Sequence, residues 1–233
     1  MQDRYTEQQL IDAVKTGDED RVRSIASLAP GLIDTEVDGV PVVRLAVYHG
    51  HPTVAQALAD LGARLDIFTA AAMNKADRLA ILLQGERERV NGWSEDGFTP
   101  LALAAHFGAA HAARLLLAVG ADPNARSKNP LDNTALHAAV AGRRTALVDL
   151  LLDGGADIDA RDGRGFTPLN IAANGGDVAI ARLLLARGAD PSIANDDGRT
   201  PLDTAEHDGH PEVAELIGTW AGNPSGGGRG TWG

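Results

Sequence analysis

The chain has 233 residues, 44% hydrophobic but only 4% aromatic, with a formal net charge of −11. It contains no cysteine, which excludes disulfides, thiolate metal sites and thiol nucleophiles. The carboxylate surplus argues against a nucleic-acid backbone as ligand, since that needs Lys and Arg in excess on some face, and it favours a basic or neutral partner.

Met1-Gln2-Asp3-Arg4 opens a charged segment without an apolar run, and no later stretch approaches membrane-spanning length. The expectation is a cytoplasmic protein without membrane contact. Lys15, Lys75 and Lys128 are the only lysines. With the abundance of Arg, Ala and Gly this composition suggests a GC-rich, bacterial genome.

The first predicted unit, about residues 5–35, carries a helix around Leu10-Ile11-Asp12-Ala13-Val14. Thr6-x-x-Gln9 has the form of a capping box, and Tyr5 and Leu10 fall at the positions of a hydrophobic staple. Residues 36–93 hold weaker units. Gly39-Val40-Pro41 stands where later units have Gly-x-Thr-Pro, and Tyr48-His49-Gly50-His51-Pro52 reads as a turn between two helices. Gly62-Ala63 is followed almost at once by Asp66, which must cap the helix Ile67-Phe68-Thr69-Ala70. About eight residues of loop are therefore absent relative to the later units, and one projecting finger is missing.

From 94 to 220 the pattern is regular. Thr99-Pro100-Leu101, Thr134-Ala135-Leu136, Thr167-Pro168-Leu169 and Thr200-Pro201-Leu202 recur at spacings of 35, 33 and 33 residues. In each unit the Thr can cap a helix through its hydroxyl, and Pro is tolerated at the first helical position, where its missing N–H costs nothing. Glycines near Phe107, Asn174 and Asp208 can supply the left-handed residue that turns the chain into a second helix. Leu115-Leu116-Leu117, Leu150-Leu151-Leu152 and Leu183-Leu184-Leu185 then pack that helix against both its partner and the next unit. A period near 33 residues means a solenoid, whose core is spread along a line. In the last unit Asp203, Glu206 and Glu215 bring charge, as expected where no neighbour covers the outer face. Residues 221–233, with Trp232, read as a flexible Gly-rich tail.

The Thr-Pro-Leu-His-like entries, together with Gly120-Ala121-Asp122, Gly155-Ala156-Asp157 and Gly188-Ala189-Asp190, resemble the ankyrin repeat. The resemblance implies an all-α solenoid of about seven helix-turn-helix repeats, forming one domain over residues 1–220. It also implies non-catalytic protein recognition through a concave face made by loop tips and the exposed ends of the first helices. Carried onto this chain, those positions give Tyr48, His49, Met73, Asn74, Phe98, His106 and Phe107 as partner-binding residues. Tyr48, His49, His106 and Phe107 are expected to be dispensable for repeat packing. Trp93 and Phe98 have a second reading, in which they fold over the gap left by the missing finger. The loop tips around Leu131, Arg164 and Arg199 are the alternative recognition surface. The alternative function is an inhibitor, immunity or antitoxin-type protein that masks one enzyme.

No chemistry assembles in the sequence. The seven histidines are scattered, and His49 and His51 lie on opposite sides of a turn without a third ligand, so no metal site is expected. His137 stands at the His of the repeat motif, where the resemblance implies hydrogen bonding within and between repeats. No phosphate-binding Gly-rich loop and no grouped nucleophile and base are present. The expectation is a monomer without cofactor or enzymatic activity.

Overall fold

A computed structural model describes residues 5–221. Fourteen α-helices among these residues form seven helical hairpins that stack in chain order. The pairs are α1 (Glu7–Thr16) with α2 (Glu19–Leu28), α3 (Val42–Tyr48) with α4 (Pro52–Asp60), α5 (Ile67–Ala72) with α6 (Ala76–Gly85), and α7 (Pro100–Phe107) with α8 (Ala110–Ala118). They continue with α9 (Ala135–Ala141) and α10 (Thr145–Asp153), α11 (Pro168–Asn174) and α12 (Val178–Ala186), and α13 (Pro201–His207) and α14 (Pro211–Ala221). First helices pack on first helices along the array, and second helices on second except between α4 and α6, at the shortened link. A short hairpin of β1 (Glu36–Val37) and β2 (Val40–Pro41) forms the first finger. The last helix runs one residue beyond the expected domain end at 220; the remaining tail with Trp232 lies outside the described residues.

Local chemistry accounts for the hairpins. Thr99, Thr167 and Thr200 each accept a hydrogen bond from the N–H of the third helical residue, with Pro100, Pro168 and Pro201 at the first helical position. At the N-terminus Thr6 and Gln9 close a reciprocal capping box. The turn inside each hairpin needs one residue in the left-handed region. Glycine provides it in five hairpins, but Asn74 (φ 57°) and Arg143 (φ 56°) do so in two. Asn74 repays the strain by accepting hydrogen bonds from the N–H groups of His111 and Ala112, both at 3.0 Å, and Arg143 donates to the Gly175 carbonyl.

Small Ala and branched Leu faces interlock into a long core from α5 to α14 and a second core through α1–α4. The division falls at the shortened repeat, where a third cluster of Phe68, Ala72 and Leu103 lies under Tyr48, Phe98 and Phe107. The array ends on α14, whose Val213, Leu216 and Ile217 are buried while Glu212, Glu215 and Thr219 face solvent.

Polar ladders run between repeats. His137 is fully buried, takes the Thr134 N–H through Nδ1, and places Nε2 3.1 Å from the Phe166 carbonyl of the next finger. Burial holds its pKa below the ordinary histidine value, so the ring is neutral, as both contacts require. Asn170 repeats the device, accepting from Thr167 and reaching the Arg199 carbonyl. Asp203 accepts from Thr200 in the same way but, as a carboxylate, has no N–H to donate onward.

A second ladder joins the finger bases. Asn91 accepts from the Asp122 N–H and donates to the Gly120 carbonyl; Asn124 does the same with Asp157 and Gly155. Asp159 occupies the next rung and accepts from the Asp190 N–H, but a carboxylate cannot donate to the following carbonyl. Its pKa is raised, chiefly by burial, with Asp190 and Asp157 adding repulsion. Asp159→Asn should therefore raise stability by about 0.5–1 kcal/mol at pH 7, the net worth of one restored hydrogen bond. Because the folded-state pKa lies above the unfolded one, the wild-type deficit is present at neutral pH and shrinks as pH falls through the folded pKa. Urea melts of both proteins at pH 7 and pH 4 check this; equal stability at pH 7 would refute the missing-donor account.

Candidate functional site: an aromatic hollow on the first-helix side

The site begins with the missing finger. Elsewhere adjacent fingers are tied by backbone bonds: Lys128 N–H to Gly97 carbonyl at 2.7 Å, Gly163 to Leu131 at 2.9 Å, Asp196 to Arg164 at 3.1 Å. Between Asp60 and Ile67 the chain passes directly into α5, so the first finger has no immediate neighbour. The third finger closes the distance. A Cβ placed on Gly39 would lie 2.7 Å from Glu95 Cγ, so only glycine lets the two finger tips approach this closely. In the same closure the Tyr48 hydroxyl donates to Asp96 at 2.6 Å, across 48 residues of sequence.

That contact gathers aromatic side chains from α3, α7 and the third finger. Tyr48 stacks on Phe107 with ring centroids 5.7 Å apart, and His106 meets Phe107 edge-on at 4.8 Å. Phe98 packs on the same cluster. With Leu103 and the finger residue Leu131 they surround a mainly apolar hollow of about 290 Å³. Leu131 is 44% exposed and His106 is exposed, so the rim is open to a partner. Burial raises the Tyr48 pKa, keeping its phenol protonated as a donor, and lowers that of His106. The hollow thus offers aromatic faces with a histidine ring at the rim.

Of the residues expected to bind a partner, Tyr48, Phe98, His106 and Phe107 come together in this hollow. Met73 and Asn74 line an adjoining depression that Phe107 separates from it. The Asn74 side chain is already committed to the start of α8. His49 is exposed beside the turn and lines neither depression.

Two expectations are corrected by the packing. Tyr48 is not dispensable, because its hydroxyl bonds the third finger and its ring covers Phe68 and Phe107. Trp93 does not fold over the gap: its indole N–H donates to the Arg126 carbonyl at 2.8 Å, and Lys128 Nζ sits 3.6 Å from its ring centroid, both on the following finger. Phe98 does turn toward the gap side, onto Tyr48 and Phe107. Leu131, weighed in the sequence only as part of an alternative surface, belongs to the same hollow. The two-residue lengthening between Thr99 and Thr134 was its available signal, since longer loops between regular elements carry recognition.

Histidines elsewhere are taken up by structure. His51 and His210 place Nε2 at 3.1 and 2.9 Å from the Lys15 and Asn174 carbonyls of the preceding hairpins. Among the described residues no group of three or more His, Asp or Glu is placed to hold a metal ion, and no helix is long and apolar enough to cross a membrane.

Comparison with known proteins agrees with this architecture. A family model described as ankyrin repeats (3 copies) matches residues 67–162 and 136–219, more than half of the chain. A stretch of 73 residues is 42% identical to the putative ankyrin repeat protein FPV031 of Fowlpox virus (strain NVSL), covering 31% of this chain and 21% of that protein. The chain thus spans about a fifth of the length of the curated relative it matches. Ankyrin repeats indicate a module for protein–protein interaction. Seven stacked helical hairpins, the Thr-Pro-Leu entries and the family match together place the chain in the ankyrin repeat family.

Proposed function

We propose that the chain is a non-catalytic, cytoplasmic adaptor that holds a protein partner through the hollow formed by Tyr48, Phe98, Leu103, His106, Phe107 and Leu131. The supporting observation is the concentration of aromatic and apolar surface at one open site in a chain with few aromatics. Aromatic anchors that bury fully on binding carry most of the energy in such interfaces, while the surrounding contacts chiefly exclude water. A hydrophobic or aromatic side chain of the partner would enter between Phe107 and Leu131. The acidic surroundings, with Glu95, Asp96 and Asp132 on the neighbouring fingers, favour basic residues around that anchor.

Photo-crosslinking tests the placement. A photoreactive phenylalanine analogue at position 106 or 131 should give a discrete crosslinked species in native lysate. The same analogue at exposed positions 146 and 182, on second helices, should give none. With the captured partner purified, Phe107→Ala and Leu131→Ala should each weaken binding by about 2 kcal/mol, as for a central anchor. Crosslinks confined to 146 and 182, or unchanged affinity in both variants, would move the recognition surface elsewhere.

A further inference from the structure

Seven hairpins stack in one line, yet the line has a weak joint where the finger is missing. The core through α1–α4 and the core from α5 to α14 share no buried residue. Phe68, Ala72 and Leu103 form the small cluster between them, with Val47, Tyr48, Phe98 and Phe107 partly buried around it. Helix α3 meets α5 more sparsely than any other pair of neighbouring first helices meet, and α4 and α6 lack the packing that other second helices have.

The space between the two sides is only partly filled. A cavity of about 360 Å³ lies between Asp34 and Val43 on one side and Arg78 and Leu82 on the other. The depression at Met73, about 380 Å³, is likewise lined from both sides, by Val47 and Ala55 and by Ala72 and Phe107. Each is surface that regularly stacked repeats would bury against one another, so less apolar area holds this joint than its neighbours.

Hydrogen bonding across the joint is equally thin. Among the described residues no main-chain hydrogen bond joins residues 5–62 to residues 67–221, whereas the later fingers are tied by such bonds. The polar contacts that do cross come from side chains: Tyr48 to Asp96, Lys75 to Gln56, and Arg44 to Asp66 at 3.5 Å. The last is costly. Arg44 is 1% exposed and its Nε and Nη1 make no hydrogen bond, so closing the joint buries a charge that is incompletely satisfied. Opening the joint rehydrates it.

We propose that residues 5–62 unfold and refold as one unit while residues 67–221 stay folded, and that this equilibrium switches the hollow on and off. The second half rests on the hollow being the binding site. Two hairpins are fewer than the roughly three repeats a solenoid needs to stand alone, so loss of contact at the joint releases α1–α4 together. The opened unit carries Tyr48 away from Phe107, and with it the wall of the hollow that α3 supplies. A partner that needs this wall binds only the closed form, and by binding holds the unit folded.

The test uses the full chain without a partner. Hydrogen exchange is followed by mass spectrometry through a series of urea concentrations below the main transition, alongside fluorine NMR of the 3-fluorotyrosine-labelled protein. Tyr5 and Tyr48 are the only tyrosines, and Tyr5→Phe assigns the two signals. The amides of α1–α4 should converge on one opening equilibrium, separated by a step from those of α7–α12. The Tyr48 signal should move to its unfolded position over the same range of urea. Leu58→Ala removes a fully buried side chain of the N-terminal core, and should raise the opening of α1–α4 by more than about tenfold while α9–α12 are unchanged. Fraying from the chain end would instead give protection that rises gradually from α1 to α6, and that result overturns the proposal. So does a single transition for all helices, in the parent or in Leu58→Ala, or a Tyr48 signal that stays packed until α7–α12 lose protection. None of these outcomes bears on crosslinking at positions 106 and 131, so the two readings fail separately.

Discussion

Deletion of residues 195–221 is expected to make the protein self-associate more strongly and unfold at markedly lower denaturant. The last hairpin covers Ile180, Leu184 and Leu185 of α12 with Val213, Leu216 and Ile217 of α14, all nearly removed from solvent. Each such side chain contributes roughly 1.5–3 kcal/mol when fully buried. Exposing the three on the α12 side and discarding their partners therefore removes on the order of 5 kcal/mol, a large part of the roughly 5–15 kcal/mol that holds a domain. The penultimate hairpin cannot replace the end. Its outer face is apolar, whereas Glu206 and Glu215 of the last hairpin are exposed. Sedimentation velocity across a range of concentrations, with urea melts, reads both effects. A truncated chain with the parent's association state and the parent midpoint would show that the last hairpin is not the cap.

Replacing Phe68 by Ala should cost about 3–5 kcal/mol, the range for removing a buried aromatic ring. Phe68 is 1% exposed and lies where the two cores meet. Arg44 and Arg89 lie over its ring, and Tyr48, Phe98 and Phe107 pack against the same cluster. Its loss should leave a cavity and a buried guanidinium without its aromatic face. The damage should be local first: hydrogen exchange ought to accelerate in α3, α5 and the third finger while α11–α14 keep their protection, because solenoid repeats depend directly only on neighbours. Phe68→Leu retains most of the apolar volume and should cost less than half as much. Uniform loss of protection along the whole chain would instead mean that the gap is not an energetic boundary.

Much of this molecule was readable from residues alone, because a solenoid is built from contacts close in sequence. The capping box at Thr6 and Gln9, the Thr-Pro helix starts, the Leu faces and the charged final hairpin all follow from chemistry within one or two repeats. The short link at Gly62–Asp66 was legible for the same reason, as a departure from a regular count. The sequence also picked out Tyr48, Phe98, His106 and Phe107, since exposed template positions and a low aromatic content made them conspicuous.

How the array responds to the gap was decided only in three dimensions. A vacancy can stay open, be filled by a long side chain, or be spanned by its neighbours, and local propensities do not choose among these. The choice depends on the energy of contacts between residues far apart in the chain, such as the approach of Gly39 to Glu95 and the bond from Tyr48 to Asp96. The fold combines two of these: finger tips close over the gap, and a cavity remains at its base, while the buried Arg44 pairs with Asp66 of the short link. Repeat number and helix order are thus properties of the sequence period, whereas Tyr48 as a structural residue, Leu131 as part of the hollow and Arg44 as a buried donor arise from packing across a missing element.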